Sequence, residues 1–346
     1  MLCKIQNKIE QELKLYLRDL DKQHSLRKIS PLLYKNICDF ILRKGKRLRP
    51  TLFVIGYLGF TKKPAANLYK SALALELVHD FLLVHDDIID RSDLRRGKPS
   101  MHSMLNKYLK GYKGIKFNGE ELAIVVGDVM YAMGIHAFLS VKEKPALKEK
   151  ALKKLIETSI YTASGEFIEI LYGIKDIEEI NREDIYRIYD YKTAYYTFAC
   201  PLSMGAILAG AAEKETDKLF NYGVYLGRAF QIKDDILSMF SSENEIDKSI
   251  LTDLQQAKKT LLIWHAYRNS TGKNKLAIKR IFSKNDADET DLFEMRRIIS
   301  KAGSLDYTKE EVSKLTDKAT ALISYSKIRP RYKDFLFEYS RKLLSI

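Results

Sequence analysis

The sequence predicts an all-α protein, and three observations carry that expectation. Apolar residues recur with helical periodicity almost from end to end, and no stretch sustains the alternation of a strand. Glycine and proline, 17 and 7 of 346 residues, are scarce, so little interrupts long helices. No repeat, low-complexity tract or breaker-rich linker divides the chain, so residues 1–346 read as a single helical domain.

Leu2 to Leu20 reads as an amphipathic first helix. Pro31, well placed at a helix start, leads into Leu32 to Arg43, closed by Gly45. After GKRLRP a short helix runs to about Phe60, and Pro64 opens a long one that reaches HDDIID, His85 to Asp90. Arg91 to Ser100 is a charged loop punctuated by Gly97 and Pro99. Gly111, Gly114 and Asn118-Gly119 mark a second loop, after which Glu120 and Glu121 suit the positive end of a helix dipole. Further helices are expected over residues 120–140, 145–172, 182–212 and 213–240, with shorter ones beyond. The stretch Leu122 to Val141 is apolar enough to suggest a membrane span, but Asp128 and His136 within it favour a buried helix. An integral membrane protein is therefore not expected.

The net charge of +14, from 59 basic and 45 acidic residues, fits an anionic partner or a solvated lysine-rich surface. Nucleic acid is not the expected partner, because no basic cluster is interleaved with stacking aromatics and no C-x-x-C spacing occurs. Cys3, Cys38 and Cys200 are odd in number and widely spaced, which points to reduced thiols in the cytoplasm. The opening MLCKIQNKIE has no apolar signal-peptide core.

Two acidic clusters carry the chemistry. In HDDIID, Asp86 and Asp90 lie four apart, on one face of a helix and one turn from each other. In QIKDDILS, Asp234 and Ser238 have the same spacing, with Asp235 beside them. Grouped carboxylates repel unless cations sit among them. Magnesium takes a few carboxylates together with phosphate oxygens and water. A lone D-D-x-x-D is weak, since acidic helix ends are usually just solvated; two of them, each after an apolar helix, are stronger. Lys46, Arg47 and Arg49 in GKRLRP, and Arg95-Arg96 in DLRRGKP, are compact donor groups beside glycines. Arginine offers a planar fork to phosphate oxygens, and lysine a point charge. His79, His85 and His102 include no pair at i,i+4, so a zinc helix is not expected.

On these residues the chain resembles the trans-isoprenyl diphosphate synthases, or polyprenyl synthetases, from about Lys44 to about Leu262. GKRLRP, LELVHDFLLVHDDIIDRSDLRRGKPSMH, AIVVGD, KTA and GRAFQIKDDIL occur in family order. The resemblance implies the isoprenoid synthase fold, one bundle of long antiparallel helices around a central cavity, and a homodimer. It implies a prenyltransferase that joins isopentenyl diphosphate to an allylic diphosphate by ionisation, condensation and proton loss. Lys46, Arg49, His79 and Arg96 would hold isopentenyl diphosphate. Asp86, Asp90 and Asp234 would ligate two or three magnesium ions. Arg95, Lys192, Thr193, Gln231 and Lys258 would contact the allylic substrate, with Lys248 a further basic contact. Asp86, Asp90, Arg95, Lys192 and Asp234 are thus the expected catalytic set, with Asp87 and Asp235 in support.

The chain departs from the family pattern in three places. Ser238 stands where an aspartate is usual, and Glu166 follows Gly165 where a glutamine is usual. In DKSILTDLQQAKKTLL, residues 247, 251 and 257 replace glycines and Leu262 replaces a proline. Phe81 and Leu82, just before the first cluster, are the chain-length positions; a bulky Phe81 without a second aromatic resembles geranylgeranyl more than farnesyl synthases. Two competing readings remain at this stage. One is a non-catalytic, regulatory subunit of a heteromeric synthase, motivated by Ser238 and the altered loop over 247–262. The other is a terpene cyclase, which has no use for the second diphosphate pocket.

Overall fold

The computed structural model describes residues 1–240, 252–284 and 286–344. It is helical almost throughout, in agreement with the expected class. The chain forms two compact units, one of Met1–Ile55 with Lys62–Glu149 and the other of Gly56–Thr61 with Lys150–Ile346.

The first unit contains α1 (Leu2–His24), α2 (Leu26–Ile29), α3 (Pro31–Ile41), most of α4 (Leu48–Leu58), α5 (Leu68–Ile89), a two-stranded hairpin of β1 (Leu94–Arg95) and β2 (Lys98–Pro99), α6 (Met101–Leu109) and α7 (Gly119–Leu139). The helix α1 buries Ile5, Ile9, Leu13, Tyr16, Leu17 and Leu20, the spacing of one apolar stripe, and packs on α5. In α5 nearly every residue from Leu68 to Val78 is buried, so it is the central helix of this unit. It begins at Leu68 rather than at Pro64, because Asn67 before it is left-handed, with φ 64°. The helix α7 starts on a capping box between Asn118 and Glu121. It is the one helix among the described residues long and apolar enough to cross a membrane. It packs along α5, and a Cβ at Gly127 would lie 2.5 Å from His85 Nε2. That glycine lets the two helices touch beside the first aspartate cluster.

The second unit takes most of α8 (Pro145–Gly173), then α9 (Arg182–Ile188), a π-helix (Tyr189–Ala199), α10 (Cys200–Leu208) and α11 (Glu213–Phe240). It continues with α12 (Thr252–Gln255), α13 (Leu261–Arg268), α14 (Gly272–Phe282), α15 (Glu289–Lys301), α16 (Ser304–Ser324) and α17 (Pro330–Leu344). The helix α11 packs against the π-helix and α16. At Gly223 and Gly227 an added Cβ would come within 2.4 Å of Ala199 Cα and Ala194 Cα, so α11 and the π-helix touch through their backbones. The expected single helix over 182–212 is thus three segments. Pro201, which has no N–H to give to the preceding turn, stands in the first turn of α10, where the α-helix resumes. Before it the chain widens, and Cys200 N–H bonds to Tyr195 O, five residues back. A separate core of Met239, Leu254, Leu262, Ile263, Met295 and Ile298 among others seats α13 to α15.

Candidate active site

The first acidic helix end is built by a turn that reverses the chain. After its cap Asp90, Arg91 adopts a left-handed φ of 52°. Arg91 N–H then donates to Ile88 O at 3.2 Å and Ser92 N–H to Asp87 O at 2.8 Å, a helix stop usually built on glycine. The β1–β2 hairpin follows. Its two-residue turn, Arg96-Gly97, has φ of 56° and 68°, as hairpins of this size require. Arg95 is thereby returned to α5, donating from Nε to Asp87 Oδ1 at 2.8 Å and from a terminal nitrogen to Asp86 Oδ2 at 3.0 Å. Burial opposes the charge on Arg95, but Asp87, Asp86 and Asp90 outweigh it and hold its pKa above the ordinary value. Asp87 is fully buried, while the Asp86 side chain keeps 20% of its surface exposed.

His79 precedes Asp86 by seven residues, so it lies on the same face of α5 about 10 Å away. Burial, then the guanidinium groups of Arg49, Arg96, Arg95 and Arg47, hold its pKa well below the usual imidazole value. The structure therefore brings Arg49 and Arg96 close to a neutral His79. Lys46 is exposed. Arg47 does something else. It is 2% exposed, pairs with Glu10 at 2.7 Å and Glu76 at 2.6 Å, and donates to Ile41 O and Arg43 O. It ties α1, α5 and the end of α3 together rather than facing a ligand.

Asp80 was not foreseen from sequence. It is fully buried, neither carboxylate oxygen receives a hydrogen bond among the described residues, and Arg96 lies 3.9 Å away. Burial, and then Glu76, raise its pKa well above the usual carboxylate value. Phe81 rests edge-on against His85, with centroids 4.7 Å apart, and against Tyr131 of α7 at 5.2 Å. Tyr131 is thus a second ring beside the expected chain-length position. Leu82 is half-buried next to it.

In the second unit the acidic end of α11 exposes Asp234 and buries Asp235. A chain of hydrogen bonds fixes Asp235. Gln231 Nε2 donates to its Oδ1 at 2.9 Å, and Thr193 Oγ1 donates to Gln231 Oε1 at 2.6 Å. On the other oxygen the Tyr189 hydroxyl donates to Asp235 in a short bond, while Leu261 N–H donates to Tyr189 at 2.9 Å. Burial, then Asp235, push the Tyr189 pKa far up, so it remains a donor. Beside this chain Arg228 makes two 2.6 Å bonds to Asp190, which is buried in the π-helix. Tyr189 carried no signal in the sequence beyond one of 21 tyrosines.

Lys192 reaches Glu166 at 2.7 Å and Glu169 at 2.5 Å, both on α8. Lys258 is half-buried just ahead of Thr260, whose hydroxyl caps α13. Ala257, at a position expected to carry glycine, has φ 50°, a left-handed conformation that costs an alanine on the order of 1 kcal/mol. Lys248 lies outside the described residues, as do positions 247 and 251.

No group of three or more His, Cys, Asp or Glu side chains forms a ready metal cage among the described residues. The donors fit magnesium nonetheless, since that ion is held by one or two carboxylates and completed by phosphate oxygens and water. Asp86 with Asp90, and separately Asp234, are such donors: oxygen ligands with surface left to accept a hydrated ion.

An all-α architecture with acidic helix ends and a guanidinium-lined histidine is that of an enzyme for phosphorylated substrates. The chain belongs to the polyprenyl synthetase family, whose model matches residues 30–299. It is a trans-prenyltransferase of the isoprenoid synthase fold. It is 32% identical over 287 residues to a geranylgeranyl diphosphate synthase of Saccharolobus solfataricus, covering 80% of this chain and 78% of that one. A geranylgeranyl diphosphate synthase of Methanosarcina mazei is 29% identical over 280 residues, covering 80% and 78%. In structure the chain matches geranylgeranyl pyrophosphate synthase of Corynebacterium glutamicum, complexed with isoprenyl diphosphate and magnesium, with a TM-score of 0.89 at 22% identity over 100% and 99% of the two chains.

Proposed function

We propose that this chain condenses isopentenyl diphosphate with an allylic diphosphate to give a short-chain trans-prenyl diphosphate, the twenty-carbon geranylgeranyl or fifteen-carbon farnesyl product. The observation that carries this reading is α5 itself. One helix face presents a neutral histidine among arginines and, two turns on, Asp86 beside Arg95. An anion pocket and a cation site on one helix suit two diphosphates, one of which brings metal.

In this reading Lys46, Arg49, His79 and Arg96 bind the diphosphate of isopentenyl diphosphate. Asp86, Asp90 and Asp234 hold the magnesium ions, two or three in number. Bound magnesium supplies positive charge to the allylic diphosphate as it departs. Arg95, Lys192 and Lys258 bind the same diphosphate, with Lys248 a further contact. Thr193, bonded to Gln231, and Gln231, bonded to Asp235, would set a polar wall beside the reacting carbon. The allylic C–O bond breaks with its electron pair leaving on the diphosphate. The double bond of isopentenyl diphosphate attacks the cation, and a proton passes to the departed diphosphate as the new double bond forms. Phe81 with Tyr131, and Leu82 alongside, would limit the length of the growing chain.

Residues 1–346 are proposed to act as one domain, which the span of the family match across both units supports. A cytoplasmic homodimer is the proposed form, and its three thiols are free. Product analysis of the purified protein with magnesium, isopentenyl diphosphate and primers of increasing length tests the function. The expected result is elongation to a single short product, lengthened by Phe81→Ala. Failure to elongate any primer would favour the subunit reading, which Ser238 and the strained Ala257 keep open.

A further inference from the structure

The Lys192 ammonium stands between two carboxylates because of a close approach of two helices. Gly165 in α8 lies against the π-helix so tightly that a Cβ there would sit 2.7 Å from Tyr191 Cβ and 2.9 Å from Lys192 N. Glu166 and Glu169, one turn apart on α8, are thereby carried to Lys192. Their Oε2 atoms lie 2.7 Å and 2.5 Å from Nζ, and all three side chains are about four-fifths covered, at 19%, 21% and 21% exposure. An ammonium has three donors, so two are committed to these acids. The trio carries one net negative charge where an amide in place of Glu166 would leave it neutral.

A diphosphate that binds Lys192, at another donor or in place of one carboxylate, comes to rest beside Glu166 and Glu169. Within a partly water-excluded site, such like-charge juxtaposition weighs on affinity. Glutamine has the same length and could still accept a hydrogen bond from Lys192, without the repulsion.

We propose that Glu166 is a positioning residue that holds Lys192 by charge and so weakens the enzyme's grip on the allylic diphosphate, making it the residue that sets allylic-substrate affinity. The inference rests on the proposed role of Lys192 as an allylic-diphosphate contact. Glu166 contacts Lys192, a proposed contact of the allylic diphosphate, so its influence is expected on that substrate.

The experiment compares wild type with Glu166→Gln and Glu166→Asp in the full chain. Steady-state kinetics should show the KM for the allylic diphosphate falling about tenfold in Glu166→Gln, with the KM for isopentenyl diphosphate unchanged. Glu166→Asp, which keeps the charge, should stay near wild type. In parallel, calorimetric titration with inorganic pyrophosphate and magnesium should show tighter binding to Glu166→Gln than to wild type. An unchanged or raised allylic KM in Glu166→Gln, or equal shifts for both substrates, overturns the proposal while leaving the prenyltransferase reading intact. Should wild type make no product with any primer, the functional reading falls, and the titration still decides the proposal: equal pyrophosphate affinity in the two proteins overturns it.

Discussion

At the end of α5 the buried carboxylate, Asp87, is held by a guanidinium that also reaches Asp86; at the end of α11 the buried carboxylate, Asp235, is held by a phenol and an amide. In both places the first aspartate of the pair keeps contact with solvent and the second is packed inside. The partners differ in kind. A charged partner that spans two aspartates can be redistributed when a cation arrives, because guanidinium and cation compete for the same oxygens. The Tyr189 and Gln231 donors to Asp235 are neutral. The first end is thus tied by a guanidinium and the second by a cradle that includes a phenol and an amide, with Ser238 on the same helix one turn beyond Asp234.

Tests of this contrast run from large effects to small. Asp86→Ala should lower turnover on the order of a thousandfold, since charge stabilisation carries the ionisation step; near-normal rates in a primer assay would remove the metal assignment. Tyr189→Phe should cost about 1–3 kcal/mol in chemical unfolding, by stranding the Leu261 N–H and one side of Asp235. Its turnover should also fall, with both KM values little changed. An undisturbed Tyr189→Phe protein would show that the cradle is not held as described.

Asp80→Asn tests the other end through pH. The folded-state pKa of Asp80 lies above its unfolded value, so the folded state retains a proton that the unfolded chain loses as pH rises. Its contribution to stability is full below the ordinary carboxylate value near 3.8 and declines upward through the raised one. Asp80→Asn should therefore gain several degrees in Tm at pH 8 and little at pH 4; a gain of equal size at both would assign it to packing. Ser238→Asp should tighten magnesium dependence a few-fold by adding a carboxylate one turn from Asp234, and no change in the magnesium titration would mean the serine is no handicap. Ala257→Gly should add about 1 kcal/mol of stability by relieving a left-handed alanine, and a loss of Tm would mean that its methyl group is needed for packing.

The helices and the two acidic ends were legible because both signals are local: a 3.6-residue period and residues four apart. Most substrate residues were legible only through ordered motifs shared with a family. What stayed hidden depends on partners distant in sequence. Arg47 is indistinguishable from Arg49 in GKRLRP, and only Glu10 and Glu76 from two other helices make it a strut. Tyr189 gains its role from Asp235 and Leu261, 46 and 72 positions away. The π-helix was invisible because its apolar spacing passes for that of an α-helix.

The short hairpin after α5 has a consequence for how the chain can change length. Neighbouring strand residues face opposite ways, and here Arg95 serves Asp86 and Asp87 while Arg96, in the turn, lies by Asp80. One residue inserted between Arg91 and Arg95 would shift the register and exchange the two guanidinium addresses. The stretch between α6 and α7, carrying Gly111 and Gly114, is exposed throughout residues 111–117. A library of single-residue insertions should thus be tolerated at 111–117 and rejected at 92–97, marking on the gene itself where the register of two arginines is kept.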